Sequence, residues 1–480
     1  MKKIIFSLIL LVFLNLSYSQ SLNSVWSGIL NAGGQKIELR LHLIQNEDKT
    51  YSSNWDVPIQ KAIGIVSSKT DLVNSQLNIE IKAIAASYSG KMNAEANKIQ
   101  GTWTQAGHDF ELNMEPYLTS NPSIIESKPP APKPQTPKPP FSYLSKDIIY
   151  EGAKTKLTYG ATLTYPTNPS KFPLVILITG SGRQDRDETI FNHKPFAVIA
   201  DDLTKKGYAV LRVDDRGTDK STGNFIESTT EDFAQDVEEH IRYAKTLPMI
   251  DTNKIGLCGH SEGGLIAPLV ASRNKSVAFI ILMAGPGIKI TELMALQNEA
   301  VLKSVGVGQN EIDSYLPLYK NLMKLVTQST DQKMAIEKSK ELTSQWFKST
   351  NKDFVLATTN ISTEADIDKY VGAMVGQLST KWWKYFANYD PQPTLQKVKC
   401  PVLAINGGAD IQSVADQNLK GIQNSLLKGG NKKATIMKFD GLNHLFQKCT
   451  KCSVNEYGEL ETTIEPVVLE YISNWLKNII

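Results

Sequence analysis

The chain contains 480 residues, of which 41% are apolar and 21% are charged, and its formal net charge is +3. This length favours two or three domains over a single compact one, and the composition is typical of a globular enzyme. No run of basic residues stands out, which excludes the strongly basic surface that nucleic-acid-binding proteins use.

The first residues predict a signal peptide over residues 1–19. Two lysines form a positive end, residues 4–14 form an apolar stretch, and Ser-Tyr-Ser at 17–19 is a small-x-small cleavage site. The apolar stretch is too short to span a bilayer, although a non-cleaved anchor is the alternative. No other segment has the pattern of a membrane span. We therefore expect an exported protein, either periplasmic or secreted.

Residues 20–118 have the pattern of an all-β domain. Residues 36–44 alternate strictly between polar residues and leucine or isoleucine, and the segments 77–81 and 110–114 repeat this period of two. Short strands separated by polar turns predict a small sandwich or barrel. The domain contains no catalytic constellation, so we expect a binding or spacer role, for a ligand that the sequence does not identify.

A proline-rich linker is predicted over residues 119–141. Residues 128–140 read KPPAPKPQTPKPP, and prolines at this density exclude a helix or a central strand and favour an extended polyproline conformation. We expect a semi-rigid spacer between the β-domain and the rest of the chain.

Strands and helices alternate along residues 142–480. One helix is expected to begin near Thr229 or Thr230, with apolar residues on one of its faces. Such alternation predicts an α/β domain whose sheet is mainly parallel and covered on both sides. The strand candidates are residues 157–165, 174–179, 209–213, 255–258, 278–283, 402–405 and 435–439.

The alternation stops between about residues 289 and 396. Apolar residues recur there at helical spacing, and they are followed by aromatic residues that include Trp382, Trp383 and Phe386. A connection of this length is not expected to be a structureless loop inside a compact domain. We therefore expect an inserted helical cap over the carboxyl edge of the sheet.

The pentapeptide Gly259-His260-Ser261-Glu262-Gly263 lies between a predicted buried strand and a predicted apolar helix. A serine between two glycines at such a sharp turn is typical of a nucleophile elbow, because glycine has no Cβ atom to clash there. The hydroxyl of Ser261 then projects from the sheet, and the following helix N-terminus favours developing negative charge. We expect His260 to point away from the site and to serve in packing.

A serine nucleophile needs a base, and the base needs an acid that fixes its tautomer. Of the six histidines, only His444 follows the elbow in the sequence, so it is the candidate base. Asp410 follows a predicted strand and two glycines, which places it at the same edge of the sheet. Asp416 and Asp440 are weaker alternatives, since one lies further into the next helix and the other lies too near His444.

Stabilisation of an oxyanion requires two backbone N–H groups. We expect the first from Glu262, directly after the candidate nucleophile. We expect the second from the loop after the strand at 174–178, where Ser181 is preferred and Gly182 is the alternative. The charges of residues 183–187 are expected to hold this loop rather than to react.

The four cysteines do not predict a metal site. Cys258 and Cys400 lie in predicted buried strands and are expected to act as small apolar residues. Cys449 and Cys452 form a single CxxC, which is half of a zinc site without a second half. In an exported protein this pattern favours a local disulfide.

Six segments carry a resemblance to a known family. They are residues 180–187 (GSGRQDRD), 194–196 (KPF), 215–217 (DRG), 259–264 (GHSEGG), 283–287 (MAGPG) and 442–444 (LNH). They resemble the α/β-hydrolase superfamily, and in particular its bacterial carboxylesterases and its serine-aminopeptidase-like (S33-type) hydrolases. The resemblance covers about residues 148–480 and leaves the leader, the β-domain and the linker outside.

This resemblance implies a cofactor-free serine hydrolase with Ser261 as nucleophile, His444 as base and Asp410 as acid. Thr179 departs from many relatives, which carry histidine at this position of the oxyanion loop. Dienelactone hydrolases carry cysteine at the elbow, so Ser261 argues against their activity.

The first hypothesis is an exported carboxylesterase that cleaves small-molecule esters through an acyl-enzyme intermediate. We expect small to medium acyl chains, because nothing in the sequence resembles a broad lipid-binding surface. An aminopeptidase or dipeptidyl-type peptidase of the same fold is the alternative, and it would need a cap carboxylate to bind the free α-amine of its substrate. The candidates for that carboxylate are Glu311, Asp313, Glu364 and Asp366. A non-catalytic envelope binding protein is a third hypothesis, which the complete set of Ser261, Asp410 and His444 disfavours.

Overall fold

The computed structural model describes residues 24–32, 35–46, 48–58, 62–81, 86–105, 108–117 and 133–480. These residues belong to two compact units, one on each side of a boundary after Lys128. The predicted signal peptide, and the predicted linker as far as residue 132, lie outside the described residues.

The N-terminal unit is all-β in its described residues. Its strands are β1 (Ser24–Ala32), β2 (Gln35–Gln45), β3 (Tyr51–Val57), β4 (Ala62–Val66), β5 (Lys69–Val73), β6 (Gln76–Ile81), β7 (Ala86–Met92), β8 (Ile99–Gln105), β9 (His108–Glu111) and β10 (Glu115–Pro116). They form two antiparallel sheets with the orders β10-β1-β2-β3-β4 and β5-β6-β7-β8-β9. Leu39, Leu41 and Leu43 of β2 alternate into the core beside Trp55 and Trp103, whose ring centroids lie 5.0 Å apart. The predicted all-β fold of this part of the chain is confirmed.

An eight-stranded sheet organises the described residues of the C-terminal unit. Its strands are β11 (Leu144–Glu151), β12 (Thr158–Tyr165), β13 (Phe172–Ile178), β14 (Ala209–Val213), β15 (Ile250–His260), β16 (Val277–Met283), β17 (Val402–Gly407) and β18 (Ala434–Phe439). Their order is β11-β12-β14-β13-β15-β16-β17-β18. Strand β12 pairs in antiparallel fashion with both β11 and β14, and the remaining neighbours pair in parallel. The parallel strands therefore present their carboxyl ends at one common edge.

Two features of this sheet differ from the sequence prediction. Strand β11 is not among the predicted strands, because it is an edge strand whose side chains are mostly exposed and show no apolar face. Strand β15 begins at Ile250 rather than at residue 255, since the polar residues 251–254 at its start are exposed or half-exposed. Both differences arise where a strand lacks buried side chains.

Helices cover both faces of the sheet. They are α1 (Pro195–Lys205), α2 (Thr230–Ala244), α3 (Gly263–Ala271), α4 (Ile290–Ser304), α5 (Gln309–Gln328), α6 (Gln332–Ser349), α7 (Lys352–Thr359), α8 (Ala365–Leu378), α9 (Lys381–Asn388), α10 (Gln392–Leu395), α11 (Ala415–Lys428) and α12 (Pro466–Ile479). One face is covered by α2, α3, α10 and α11, and the other by α1 and α12. Within the described residues, no helix combines the length and the hydropathy that a membrane span requires. This three-layer arrangement is the predicted α/β fold.

A reciprocal pair of hydrogen bonds starts α2 where the sequence predicts. The side chain of Thr229 accepts the N–H of Asp232, and the side chain of Asp232 accepts the N–H of Thr229. This capping box satisfies two N–H groups that a helix N-terminus otherwise leaves without partners.

Helices α4 to α9 lie between β16 and β17 in the chain and share a core of their own, which includes Leu322 and Val371. Ile290 of α4 and Phe386 of α9 pack instead against Leu265 of α3, close in sequence to the elbow. The insertion is therefore helical and rests on the start of α3, which completes the predicted fold class.

Candidate active site

Ser261 occupies the tight turn between β15 and α3. Its φ of +52° lies in the left-handed region, which residues with a side chain rarely adopt. Two backbone bonds hold this conformation: the Ser261 N–H donates to the carbonyl of Met283 (2.8 Å), and the Gly264 N–H donates to the carbonyl of Ser261 (2.9 Å). The turn therefore presents the Ser261 side chain at the carboxyl edge of the sheet.

Three glycines make this turn sterically possible. A Cβ atom on Gly259 would lie 2.0 Å from the carbonyl oxygen of Gly263, and one on Gly263 would lie 2.2 Å from that of Ile178. The sequence predicts both of these requirements. It does not reveal a third, at Gly264, where a Cβ atom would lie 2.6 Å from the Cα atom of Gly285.

Asp410 and His444 meet at the same edge, from the loops after β17 and β18. Oδ2 of Asp410 lies 2.8 Å from Nδ1 of His444, and both residues are buried. Oδ1 of Asp410 accepts the backbone N–H groups of Gln412 (2.7 Å) and Ser413 (2.9 Å), which fixes the carboxylate. A carboxylate on Nδ1 holds the imidazole in the tautomer whose Nε2 can accept a proton.

The alternative acids lie elsewhere. Asp416 and Asp440 both lie near Lys438, at 2.9 Å and 3.9 Å from its Nζ atom. Both side chains are largely exposed to solvent. Of the three acids that the sequence offers, the structure brings Asp410 to His444.

Ser261 and His444 line one cavity of about 310 Å³. Its wall is largely apolar and is formed by the loops of the sheet edge together with α4 and α9. The apolar and aromatic wall residues are Ile190, Phe191, Ala284, Pro286, Leu293, Met294, Trp382, Trp383, Phe386, Leu445, Val454 and Tyr457. The helical insertion therefore supplies one side of the cavity into which Ser261 opens.

The loop after β13 forms another part of this wall. The N–H of Gly180 donates to Oε1 of Glu188 at 2.7 Å, so this donor is already occupied. Ser181 lines the cavity together with Ser261. Gly182, with a φ of +98°, instead lines a smaller cavity of about 40 Å³. Of the two loop residues that the sequence proposes, Ser181 is the one that lies on the Ser261 side.

Glu262 follows Ser261 and comes directly before α3, whose N-terminus favours negative charge nearby. Its carboxylate is buried and accepts the hydroxyl of Thr230 (2.6 Å) and the indole N–H of Trp382 (2.8 Å). Burial raises the pKa of this carboxyl, and its hydrogen bonds partly oppose that rise. The side chain of Glu262 thus ties α2 and α9 to the elbow, a role that the sequence does not indicate.

His260 does more than pack. Its Nδ1 atom lies 2.9 Å from Oε1 of Glu188, and its Nε2 atom lies 3.1 Å from the backbone carbonyl oxygen of His444. Burial lowers the pKa of His260, but the charge and hydrogen bond of Glu188 outweigh that effect, so the pKa is raised overall. His260 is buried, as expected of a packing residue, but its contacts with two distant loops could not be predicted from the strand pattern.

The charged residues after Ser181 hold the loop, as predicted. Arg186 donates to Asp214 from both Nε and Nη2, at 2.9 Å and 2.5 Å. Asp215 accepts the Thr179 hydroxyl (2.7 Å) and the Gln184 N–H (2.9 Å). Burial raises the pKa of Asp215 to about 8. These bonds connect the loop to the segment after β14.

Within the described residues, two carboxylates line the cavity. The four cap acids that the sequence offers as amine-binding groups all lie outside its wall. The wall acids are Glu188 and Glu262, and both already accept hydrogen bonds from protein groups.

The predicted disulfide and the buried strand position of Cys258 agree with the structure, whereas Cys400 lies just before β17 rather than in a strand. Cys449 and Cys452 form a disulfide with a Cα–Cα distance of 4.9 Å. Cys258 is fully buried in β15, and Cys400 is partly buried. Glu456 lies beside the disulfide, and its carboxylate accepts three backbone N–H groups of residues 450–452.

Comparisons with known proteins bear on the C-terminal unit. A family model described as serine aminopeptidase, S33, matches residues 193–446. Esterase EstD of Thermotoga maritima is 26% identical over 343 residues, which are 70% of this chain and 68% of that protein. An uncharacterized 31.7 kDa protein of Escherichia coli is 24% identical over 271 residues, which are 55% of this chain and 82% of that protein. The solved structure of the Pyrococcus furiosus esterase Pf2001 aligns at 14% identity with a TM-score of 0.42, over 70% of this chain and 93% of that one.

The family match covers more than half of the 480 residues and contains the strands from β14 to β18. Ser261, Asp410 and His444 all lie within it, whereas residues 180–182 of the preceding loop do not. The chain therefore belongs to the serine aminopeptidase (S33) family of α/β-hydrolases, and the protein is a hydrolase.

Proposed function

We propose that the protein is an exported carboxylesterase that cleaves esters with small to medium acyl chains. The observation that carries this proposal is one apolar cavity that holds Ser261, in a nucleophile-elbow conformation, together with His444, whose Nδ1 atom is held by Asp410. The family of the chain and its similarity to a protein named esterase EstD support the reaction class.

The proposed reaction proceeds through an acyl-enzyme. Oγ of Ser261 attacks the ester carbonyl carbon while Nε2 of His444 takes the hydroxyl proton. The tetrahedral intermediate then collapses, and the imidazolium returns that proton to the departing alcohol. A water molecule, deprotonated by His444, attacks the acyl group, which leaves as the carboxylic acid while Ser261 regains its proton.

Backbone donors stabilise the negative charge that develops on the carbonyl oxygen. We assign this role to the N–H groups of Glu262 and Ser181, two residues that line the cavity together with Ser261. The N–H of Gly180 is excluded from it because it donates to Glu188.

The cavity supports an ester substrate over an N-terminal peptide. Binding a free α-amine in an apolar site requires an available carboxylate, because an unpaired charge is costly to bury. Glu188 and Glu262 are both engaged with protein donors, and the cap acids lie outside the wall. Aminopeptidase activity is the second candidate, which the description of the family model favours.

The cavity volume supports a limit on acyl length. Ligand cavities usually span about 300 to 1,000 Å³, and this one, at about 310 Å³, lies at the lower end of that range. Its largely apolar wall suits a short hydrocarbon chain.

The proposed export rests on two features. Residues 1–19 have the composition of a signal peptide. The disulfide between Cys449 and Cys452 is of a kind that persists in oxidising compartments.

The test is hydrolysis of p-nitrophenyl esters of increasing acyl length beside aminoacyl p-nitroanilides. We expect turnover of the short and medium esters, no turnover of the anilides, and loss of activity in Ser261→Ala. Ser272→Ala, which removes a hydroxyl at the other end of α3, is the matched control and should remain active. Turnover of anilides alone would establish the peptidase, and unchanged activity in Ser261→Ala would refute the proposed nucleophile.

A further inference from the structure

A second carboxylate–imidazole pair lies behind the pair of Asp410 and His444. Oε1 of Glu188 is 2.9 Å from Nδ1 of His260, and neither residue is exposed by more than 5%. The rings of His260 and His444 are 4.8 Å apart between centroids. The reaction proposed above does not use this second pair.

The pair connects three segments that converge on Ser261. Glu188 accepts the N–H of Gly180 at 2.7 Å, which anchors the loop that carries Ser181. His260 directly precedes Ser261, and its Nε2 atom is 3.1 Å from the carbonyl oxygen of His444. A displacement of either side chain would therefore move the oxyanion loop or the base relative to Ser261.

The bonding pattern indicates that His260 is protonated on both nitrogens. Its two partners, a carboxylate oxygen and a carbonyl oxygen, can only accept hydrogen bonds. A neutral imidazole has one N–H group, so it satisfies one of these acceptors, whereas the imidazolium satisfies both. Glu188 supplies the negative charge that compensates this cation, and the pair forms a buried ion pair.

The backbone conformation of Glu188 is consistent with a functional requirement on the position of its side chain. Its φ of +52° lies in the left-handed region, where glycine or asparagine is ordinarily preferred. Residues held in this region by their surroundings cluster at functional sites. Here the strained position places the carboxylate against Gly180 and His260.

We propose that Glu188 and His260 are positioning residues. They hold the N–H group of Ser181 and the imidazole of His444 in their positions relative to Ser261. This inference rests on the proposed roles of those three residues. It differs from a purely stabilising ion pair, because it predicts a loss of rate in protein that remains folded.

The test compares Glu188→Gln, His260→Gln and the double variant in steady-state ester hydrolysis. Glu188→Gln keeps an oxygen for the Gly180 N–H and removes the charge, and His260→Gln keeps a donor near the position of Nε2. We expect each variant to lower kcat by about 10- to 100-fold with KM changed by less than about threefold, since small misplacements act on the transition state. The double variant should lose no more than the slower single variant, because the two side chains act as one unit.

The control variants are Glu239→Gln and His240→Gln. Glu239 is also a buried carboxylate that holds a loop, through the N–H groups of Ala153 and Lys154, and His240 is also a buried histidine. Both controls should retain kcat within about threefold. Thermal unfolding of every variant identifies those that are folded at the assay temperature.

The result that overturns the inference is a kcat within about threefold of wild type in folded Glu188→Gln and His260→Gln, or a loss of equal size in the controls. If Glu188→Gln does not fold, His260→Gln and His260→Asn decide by the same criterion. The rate of Ser261 labelling by a p-nitrophenyl phosphonate is measured in parallel. If the wild type does not hydrolyse esters, the proposed function fails, and slower labelling in the variants still tests the positioning role.

Discussion

Ser261 is held in an unfavourable backbone conformation by its surroundings. A left-handed residue with a Cβ atom costs about 1–2 kcal/mol, and Ser261 has a φ of +52°. Ala284, at the end of β16, has a φ of +53°. Two strained residues thus lie at the carboxyl edge of the sheet, where backbone hydrogen bonds and close packing of glycines hold them.

Gly259→Ala and Gly372→Ala should change stability in opposite directions. A Cβ atom at Gly259 would meet the carbonyl oxygen of Gly263 at 2.0 Å. A Cβ atom at Gly372, inside α8, would meet no atom within 4 Å other than its chain neighbours and the backbone of its own helix. We expect Gly259→Ala to lower the free energy of unfolding by more than about 3 kcal/mol. We expect Gly372→Ala to raise it by up to about 1 kcal/mol. Urea unfolding checks both values, and a loss of under about 1 kcal/mol in Gly259→Ala would contradict the packing described for the elbow.

The sequence identifies candidate catalytic residues where a local sequence pattern or the order along the chain marks them. Ser261 has its glycines, Asp410 follows a strand and two glycines, and His444 is singled out by chain order. Glu188 lacks such a signal, since it stands among other charged residues and its partner His260 lies 72 residues further along the chain. Contacts of that kind have no period in the sequence and become visible only in the folded chain.

Helix α9 links the helical insertion to the elbow. Trp382 donates its indole N–H to Glu262, and its ring stacks on Phe386 at 4.8 Å between centroids. Both aromatic rings line the cavity of Ser261. The position of α9 therefore sets the width of the cavity beside the proposed nucleophile.

Trp382→Ala should widen the range of acyl chains that the protein accepts. Removal of the indole opens the cavity wall, so we expect the ratio of kcat/KM for octanoate over butyrate esters to rise by about tenfold. Trp346→Ala is the matched control, because Trp346 lies in α6, donates to the carbonyl of Ser314 and does not line the cavity. An equal shift in both variants, or none in Trp382→Ala, would contradict the assignment of this wall.

Among the secondary-structure elements, the sequence predicts those whose buried apolar residues form a recognisable pattern. The central parallel strands are recovered within a few residues, because every side chain of a strand such as β14 is buried and apolar stretches mark it. The edge strand β11 is not recovered, since its exposed side chains carry no such mark. The spacing of its apolar residues predicts that the insertion is helical. The contact between the insertion and Glu262 depends on tertiary packing and cannot be predicted in this way.

The molecule contains two compact units with separate cores, and most titratable groups of interest lie in the second. His240 is buried there, with its Nδ1 atom 2.9 Å from the hydroxyl of Tyr150. Burial lowers the pKa of His240 from 6.5 to about 3. Below pH 6.5 the unfolded chain therefore binds a proton that the native protein does not.

This difference in proton binding predicts that His240 contributes to the loss of stability at acidic pH. The contribution of His240 to stability is complete above pH 6.5 and decreases as the pH falls toward 3, by up to about 1.4 kcal/mol per pH unit. Between pH 7 and pH 5 we expect the free energy of unfolding of His240→Asn to fall by about 2 kcal/mol less than that of the wild type. Urea unfolding at both pH values measures this, and parallel decreases would show that His240 is not kept neutral by burial.

Labelling of the protein with a p-nitrophenyl phosphonate, followed by mass spectrometry of its peptides, identifies the nucleophile and the groups that activate it. We expect a single adduct on Ser261, absent in Ser261→Ala and formed at least about 100-fold more slowly in Asp410→Asn. Asp440→Asn should label at the wild-type rate, because that side chain lies at the surface near Lys438. An adduct on another residue, or equal labelling rates in the two aspartate variants, would contradict the assignment of Ser261, His444 and Asp410.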